Sequence, residues 1–235
     1  MKEYRYELHS HTAETSRCGK MDAAHVVDLY HENGYDGLCV TDHLHETYIS
    51  ALPCHDDWQA CVTAYLAGYR ASAARAATYG MDSILGIEIR FPENDRDYLL
   101  FGVDEAFLRR NPYLYRMGHA AFFERFHEEI LILHAHPYRN FAPQKDGDIY
   151  YDCIHGVEVA NCNPRHDSNN KQALALCEAH PELLRVCGSD THQPGDEARS
   201  AMLFDHRITD SFALRTALLS RNYRLSCGEF HDLIK

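Results

Sequence analysis

Histidine and carboxylate residues follow the predicted strands of this sequence at the points where the strands end. Imidazole together with carboxylate is a typical ligand combination for Zn²⁺, Mn²⁺ or Fe²⁺, whereas sets made only of oxygen ligands favour Mg²⁺ or Ca²⁺. The residue types therefore predict a site for transition-metal cations. The residues concerned are His9, His11, Asp42, His43, Glu88, His136, Asp190 and His192.

Two pairs within this set have a spacing suited to chelation. In His9-x-His11 and in Asp190-x-His192 the side chains are two residues apart, so on an extended segment they project to the same side. Eight candidate ligands exceed what one tetrahedral or octahedral ion needs, and we therefore expect two or three ions that share ligands. Glu88 is the expected bridge, because a carboxylate has two oxygens and neutralises adjacent cations.

Each of these features has an ordinary explanation when it is taken alone. A His-x-His in a loop is more often solvent-exposed than chelating, and His136 before Pro137 marks a turn. Asp42 after Thr41 also suits a helix cap. Their occurrence in order, at equivalent strand ends, is what favours a metal site.

Short apolar strands alternate with amphipathic helices, a pattern that predicts βα units and a mainly parallel sheet. One helical stripe of apolar residues starts at Ala23 and ends before Gly34, and another runs from Trp58 to Tyr69 before Gly80. Further helices are expected near residues 117–129, 168–180 and 209–221. The predicted strands are residues 4–8, 37–41, 83–89, 98–103, 130–134, 156–160 and 185–188.

The position of the polar residues favours a barrel over an open doubly wound sheet. Barrel enzymes assemble their sites from loops at the carboxyl ends of parallel strands, and the candidate ligands all fall at such ends. A chain of 235 residues can bury a full core. We therefore expect an α/β barrel that forms a single domain over residues 1–235.

Composition and charge restrict the class of protein. A formal net charge of −12 argues against electrostatic binding to bulk nucleic acid or to an anionic membrane. No stretch approaches the ~20 apolar residues of a membrane span, and the N-terminus lacks the apolar stretch of a signal peptide. We therefore expect a cytoplasmic protein. The nine cysteines form no C-x-x-C pair, but Cys18 lies among the candidate site residues and is a further possible ligand.

Together, the ordered motifs resemble those of the polymerase and histidinol phosphatase (PHP) superfamily of metal-dependent phosphoesterases. The resemblance covers most of the chain and implies a distorted (β/α)₇ barrel of mostly parallel strands. It also implies a centre of two or three divalent ions at the carboxyl-terminal face. The matching motifs are His9-Ser-His11-Thr, Thr41-Asp42-His43, Gly86-Ile-Glu88, Ala135-His136-Pro137 and Gly188-Ser-Asp190-Thr-His192.

The resemblance further implies how the ligands divide among the ions. One ion is held by two histidines and two carboxylates, the second shares the bridging glutamate, and the third is bound by two histidines. In chain order these sets are His9, His11, Glu88 and Asp190, then Glu88 and His136, then His43 and His192.

Two positions depart from the pattern of the family. Many members carry an acid or a histidine shortly after His-x-His-Thr, and here we expect Glu14 to serve as that ligand. Many also carry a histidine on the strand after the bridging glutamate, where this chain has Asp97 and Tyr98. Either Asp97 replaces this histidine, or the second metal is held loosely or supplemented by water.

The activity implied by the resemblance is hydrolysis of a phosphate ester by hydroxide held at the bridge between metal ions. We expect Glu88, Asp190 and His192 to be catalytic, with His192 or His166 protonating the leaving oxygen. The chain has no obvious insertion that would shape a large pocket. The expected substrate is therefore a small phosphate monoester, such as a histidinol phosphate-like compound or a nucleotide.

Two arginines are candidates for binding the substrate phosphate. Arg139 and Arg165 follow strands on the same face as the predicted metal ligands. The guanidinium fork matches the geometry of phosphate oxygens, so we expect these side chains to bind the oxygens that face away from the metals.

Two other classes of protein stay open. A metal-dependent amidohydrolase also begins with His-x-His in a parallel barrel, but it usually has a metal-bridging lysine at a middle strand. Here none of the five lysines ends a predicted central strand. The other class is a non-catalytic module that binds metal or nucleotide, since some PHP domains inside larger polymerases have eroded sites. The sequence does not predict the oligomeric state.

Overall fold

Strands and helices alternate through most of the computed structural model, which describes residues 2–93, 95–139 and 150–228. The strands are β1 (Tyr4–Ser10), β2 (Gly37–Val40), β3 (His43–Leu44), β4 (Asp82–Leu85), β5 (Ile87–Arg90), β6 (Asp97–Phe101), β7 (Leu131–His134), β8 (Gly156–Asn161), β9 (Leu184–Gly188), β10 (Ala201–Phe204) and β11 (Arg224–Ser226). The helices are α1 (Ala23–Glu32), α2 (Glu46–Ile49), α3 (Trp58–Tyr65), α4 (Ala67–Tyr79), α5 (Glu105–Arg110), α6 (His119–Phe126), α7 (Asn170–Ala179) and α8 (Ser211–Ser220).

The strands pair into two mixed sheets. One has the order β11-β10-β1-β2-β4 and the other the order β3-β5-β6-β7-β8-β9. The expected barrel of mostly parallel strands therefore needs correction, because the described residues form no single closed barrel. Parallel pairings join β1 to β2, β2 to β4, β3 to β5, β7 to β8 and β8 to β9. Antiparallel pairings join β1 to β10, β10 to β11, β5 to β6 and β6 to β7.

A glycine explains why one predicted strand, residues 83–89, is two strands. A Cβ on Gly86 would lie 2.7 Å from Thr41 Cγ2 and 2.8 Å from the Phe101 ring, so only glycine fits there without movement. The chain passes from the first sheet to the second at this residue, since β4 pairs with β2 whereas β5 pairs with β3 and β6. Glu88 lies on β5 and belongs to the second sheet.

A short connection accounts for the antiparallel pairing of β5 with β6. Only six residues separate β5 from β6, which suffices for a hairpin but not for a helical crossover between parallel strands. β10 and β11 extend the first sheet beyond β1, and neither they nor the two-residue β3 were predicted from the sequence. Their apolar stretches are too short to give a clear periodic pattern.

Amphipathic helices cover the first sheet much as their spacing predicts. Val26, Val27 and Tyr30 on α1 are buried with Leu38 of β2 and Ala76 of α4 in one apolar cluster. The second predicted helix is interrupted at Leu66, which ends α3 and precedes α4.

No helix among the described residues is long and apolar enough to cross a membrane.

Candidate metal centre

The candidate ligands come together where the two sheets meet. Beyond β9, Thr191 N donates to His9 O at 3.2 Å and Thr191 O accepts from His11 N at 3.0 Å. This parallel bridge lays the end of β1 alongside the segment that carries Asp190 and His192. The motifs His9-x-His11 and Asp190-x-His192 are therefore neighbours in space.

Glu88 lies at the middle of the cluster, with histidines on both of its oxygens. Oε1 is 3.3 Å from His9 Nε2 and 3.1 Å from His136 Nε2. Oε2 is 3.3 Å from His11 Nε2 and 2.9 Å from His43 Nδ1. The side chain is 1% exposed, so this carboxylate faces four imidazoles and almost no solvent.

Asp190 provides a second buried carboxylate on the same histidines. Its Oδ1 lies 3.3 Å from His9 Nε2 and 3.3 Å from His11 Nε2. Its Oδ2 accepts a hydrogen bond from Arg139 and one from Asn161 Nδ2. Arg139 also donates to Asn161 Oδ1 at 3.0 Å, which fixes the guanidinium beside the carboxylate.

The buried polar atoms in the cluster fit a metal centre. Among the described residues, five of these atoms are buried without a hydrogen-bond partner: His9 Nε2, His11 Nε2, His43 Nδ1, Glu88 Oε2 and Asp190 Oδ1. Unsatisfied buried polar groups are costly and rare in folded proteins. Nitrogen and carboxylate oxygen atoms that converge in this way suit divalent cations such as Zn²⁺, Mn²⁺ or Fe²⁺.

Ligand atoms fall into overlapping groups, in each of which they lie within 4.8 Å of one another. His9 belongs to two carboxylate-containing groups, one with His11 and Glu88 and the other with His136 and Asp190. A separate group has no carboxylate and consists of His11, Cys18, His43 and His192. Glu88 also forms a group with His43 and Asp97.

Two glutamates that the sequence analysis did not select hold the histidines in place. Glu158 Oε1 is 3.0 Å from His9 Nδ1, and its Oε2 accepts from the backbone N–H of His136 at 2.8 Å. Glu7 Oε1 accepts from the backbone N–H groups of His9 and Ser189, at 2.9 and 2.8 Å. The available sequence signal was a glutamate within each of the predicted strands 4–8 and 156–160.

Asp42 acts on the loop that follows β1. Its carboxylate accepts from the Thr12 N–H at 2.8 Å and from Thr12 Oγ1 at 2.7 Å. Burial raises the pKa of Asp42 to about 6, against the opposing effect of the hydrogen bonds from Thr12. Asp42 Oδ1 is 4.0 Å from His11 Nδ1, so it supports the His-x-His segment from the side opposite Nε2.

Burial and charge compete at the central carboxylates. Burial opposes ionisation of Glu88, but His43 and His9 outweigh it and hold the pKa well below its usual range. For Asp190 burial is likewise outweighed, here by Arg139 and His9. Burial, together with His192 and His43, lowers the pKa of His11 well below its usual value, which favours the neutral imidazole that binds metals.

Two of the candidate ligands have unusual backbone conformations. His136 has φ 29° and Asp190 has φ 52°, both in the left-handed region that residues with side chains rarely adopt. Such residues are enriched at functional sites, where the surrounding structure imposes the conformation.

Glu14, expected to be a ligand, is placed elsewhere. Both of its carboxylate oxygens accept from the backbone N–H of Ala23 at 3.0 Å, at the start of α1. It is exposed, and the helix N-terminus favours a negative charge there. The loop residue that reaches the histidines is Cys18. Burial opposes ionisation of its thiol, but hydrogen bonds between this side chain and His192 and His43 lower its pKa to about 6.

The remaining candidates lie at the margin of the centre. Asp97 groups with His43 and Glu88, but its oxygens also accept from Arg90 Nε and Nη2 at 2.8 and 2.7 Å. Arg165 forms an ion pair with Asp196, 3.0 Å apart. Asp196 Oδ2 also accepts from the His192 N–H, so this pair is joined to the centre through the backbone.

An open cavity of about 690 Å³ begins beside Asn161, which bonds to Arg139 and Asp190. Asn163, His166 and Arg199 also line it. The lining is rich in polar side chains, and His166 is exposed within it.

Several solved structures share this fold. A two-domain protein from Bacteroides vulgatus with a predicted PHP-like metal-dependent phosphoesterase aligns with 99% of this chain at 20% identity and TM-score 0.69. This chain spans 66% of the length of that protein. A putative metal-dependent phosphoesterase from Bifidobacterium adolescentis aligns over 91% of this chain and 95% of its own length. The sequence identity of this pair is 14% and the TM-score is 0.54.

An amidohydrolase from Chromobacterium violaceum also shares the fold. It aligns with 94% of this chain and 97% of its own length at 14% identity and TM-score 0.53. No protein-family model and no curated protein sequence matches the chain. The resemblance to PHP-like proteins is thus confirmed for the fold, at identities too low to define the activity.

Proposed function

We propose that this protein is a metal-dependent hydrolase that cleaves a small phosphate monoester. The observation that carries the proposal is the Glu88 carboxylate between four imidazoles, three of them buried, with ring nitrogens and oxygens that lack hydrogen-bond partners among the described residues. The fold shared with predicted PHP-like metal-dependent phosphoesterases adds independent support.

The proposed cofactors are two or three divalent ions of zinc, manganese or iron. Bound ions supply Lewis-acid chemistry, since they lower the pKa of water and stabilise charge on phosphoryl oxygens. Glu88 is suited to bridging because Oε1 faces His9 and His136 while Oε2 faces His11 and His43. Its depressed pKa keeps the carboxylate charged at neutral pH.

Arginines beside the centre are proposed to orient the substrate. Arg139 is buried next to Asp190, so its guanidinium is close enough to the ligands to bind a phosphoryl oxygen. Arg165 is partly exposed and held by Asp196, which positions it for a second oxygen. His192 at the centre and His166 in the cavity are the proposed proton donors to the leaving oxygen. The cavity volume suits a small substrate.

Among the described residues, no lysine lies at this centre to match the one usual in amidohydrolases. Lys2 bonds to Asp36, Lys20 bonds to the Arg17 carbonyl and Lys171 is exposed. Lys145 and Lys235 lie outside the described residues. The shared fold with one amidohydrolase nonetheless makes amide hydrolysis the alternative to test.

A paired assay separates these functions. The protein, loaded with Mn²⁺ or Zn²⁺, is given p-nitrophenyl phosphate or p-nitroacetanilide, with and without a chelator. We expect chelator-sensitive release of nitrophenol and no amide cleavage. Glu88→Gln should lower phosphatase turnover by more than about 100-fold, because loss of a partner outside the ligand set alone costs 10–100-fold. Exposed Glu178→Gln should leave turnover unchanged.

Each other outcome has a defined meaning. Amide cleavage without phosphate release would replace the proposal with an amidohydrolase. A fully metal-loaded protein that cleaves neither ester nor amide would indicate a non-catalytic binding module. Phosphatase turnover that survives Glu88→Gln in folded protein would contradict the role of this centre.

A further inference from the structure

The loop between β1 and α1 carries a thiol into the carboxylate-free group of ligands. Cys18 Sγ and one ring nitrogen each from His11, His43 and His192 lie within 4.8 Å of one another. In a tetrahedral site with usual zinc–sulfur and zinc–nitrogen bond lengths, neighbouring ligand atoms are roughly 3.3–3.7 Å apart. The group therefore needs only about an ångström of side-chain movement to hold one ion.

Hydrogen bonds hold this loop against the ligand-bearing segments. Lys20 lies two residues after Cys18, and its backbone N–H donates to the His192 carbonyl at 2.7 Å. Ser16 Oγ accepts from the His43 N–H at 3.0 Å. A Cβ on Gly19 would lie 2.8 Å from the Thr12 carbonyl carbon, so the loop folds tightly onto its own start. The position of Cys18 is thus set by contacts to two of the histidines.

The ring nitrogens of the histidines provide a second observation that points to a ligand. His11 is fully buried, and its Nε2 has no hydrogen-bond partner among the described residues. His43 is partly exposed, but its Nδ1 is likewise buried without a hydrogen-bond partner among the described residues. His192 Nδ1 donates to the Asp190 carbonyl at 2.8 Å, which leaves Nε2 with its lone pair available for a metal.

We propose that Cys18 is a thiolate ligand, which together with His43 and His192 binds one ion of the centre. His11 lies at the boundary between this sulfur-containing site and the site at Glu88 and Asp190. The inference rests on the proposed metal-dependent function and adds a chemical distinction within it. A thiolate favours Zn²⁺ and other soft or borderline ions over Mg²⁺ and Mn²⁺, whereas carboxylate oxygens accept the harder ions.

Cobalt substitution tests the inference directly. Metal-free protein is loaded with Co²⁺, and near-ultraviolet absorption reports thiolate-to-cobalt charge transfer while mass spectrometry reports metal per chain. Wild-type protein and Cys153→Ser should both show the charge-transfer band, since Cys153 is a partly exposed cysteine just before β8. Cys18→Ser should lose the band and bind about one ion fewer, yet retain metal at the carboxylate-rich site.

Two readouts distinguish failure of this inference from failure of the proposed function. Wild-type protein that binds cobalt and hydrolyses phosphate esters without a charge-transfer band would overturn the thiolate ligand alone. A band that persists in Cys18→Ser would do the same. Wild-type protein that binds no cobalt would overturn both proposals.

Alkylation of the wild-type protein covers the case in which Cys18→Ser does not fold. Peptide mass spectrometry after iodoacetamide treatment compares metal-free with Zn²⁺-loaded protein. We expect zinc to protect Cys18 at least tenfold while the labelling of Cys153 is unchanged. Equal labelling of Cys18 in both samples would refute ligation.

Discussion

At the scale of single residues, the arrangement around Glu88 depends on groups that orient the histidines. The motif residues were predictable because their types and spacing suit metal ions. Glu158 was not selected, since it lies within the apolar strand 156–160 and has no motif of its own. Only the fold shows that its two oxygens bond to His9 Nδ1 and to the His136 backbone. Glu14, expected as a ligand, instead bonds to the start of α1, while Cys18 lies beside the histidines. The path of this loop could not be predicted from hydrophobic periodicity.

Glu158→Gln tests this supporting role. The amide keeps the size of the side chain but removes the negative charge that orients His9 and strengthens it as a ligand. We expect metal affinity to fall 10–100-fold, measured by competition with a chromophoric chelator. The exposed Glu178→Gln is the matched control. Unchanged affinity in Glu158→Gln would show that Glu158 does not act on the ligands.

At the scale of elements, the sequence predicted where strands and helices occur better than how they pair. β2, β7, β8 and β9 begin and end within a residue of the predicted bounds. The division at Gly86 was missed, because apolar residues continue through it and the steric conflict with Thr41 and Phe101 exists only in the folded chain. Strand β6 was predicted, but its antiparallel direction was not, because strand direction depends on the connection rather than on side-chain pattern.

Two glycines on the paired strands β8 and β9 give a test of how the elements position the site. A Cβ on Gly188 would lie 2.5 Å from His9 Cβ and 2.5 Å from Glu158 Oε1. A Cβ on Gly156 would instead lie 2.4 Å from the Leu184 carbonyl oxygen, at the opposite end of the strand pair. Each alanine substitution should lower the free energy of unfolding by about 1–3 kcal/mol through overpacking.

Only Gly188→Ala should also weaken metal binding, because it displaces the His9 and Glu158 side chains. The measurements are chemical denaturation of the metal-free proteins and metal titration of the same samples. Equal metal affinity in both variants would contradict the view that the close approach of β9 to β1 sets the ligand geometry.

At the scale of the whole molecule, the centre joins the two sheets and concentrates buried ionisable groups. The candidate ligands come from β1, from the segment after β2, from β5 and from the residues after β7 and β9. A bound ion would therefore link segments distant in sequence, and a ligand that binds only the folded state stabilises that state. Metal and fold stability are expected to be coupled.

Chelation should accordingly lower the melting temperature. An ion at 100 times its dissociation constant adds about 2.7 kcal/mol to the free energy of unfolding, which corresponds to roughly 5–11 °C for a domain of this size. Calorimetry of metal-loaded and chelator-treated protein measures the shift, and re-addition of Zn²⁺ should reverse it. A melting temperature unaffected by removal of all bound metal would mean that the ions do not cross-link the sheets.

The most direct test of the central claim is the metal content of the protein and of Glu88→Gln, purified in parallel and measured by mass spectrometry of the elements. We predict two or three equivalents of transition metal per wild-type chain and at least one fewer in the folded variant. Wild-type protein that holds no metal after reconstitution with Zn²⁺, Mn²⁺ or Fe²⁺, or a variant that holds as much as wild type, would contradict a metal centre built around Glu88.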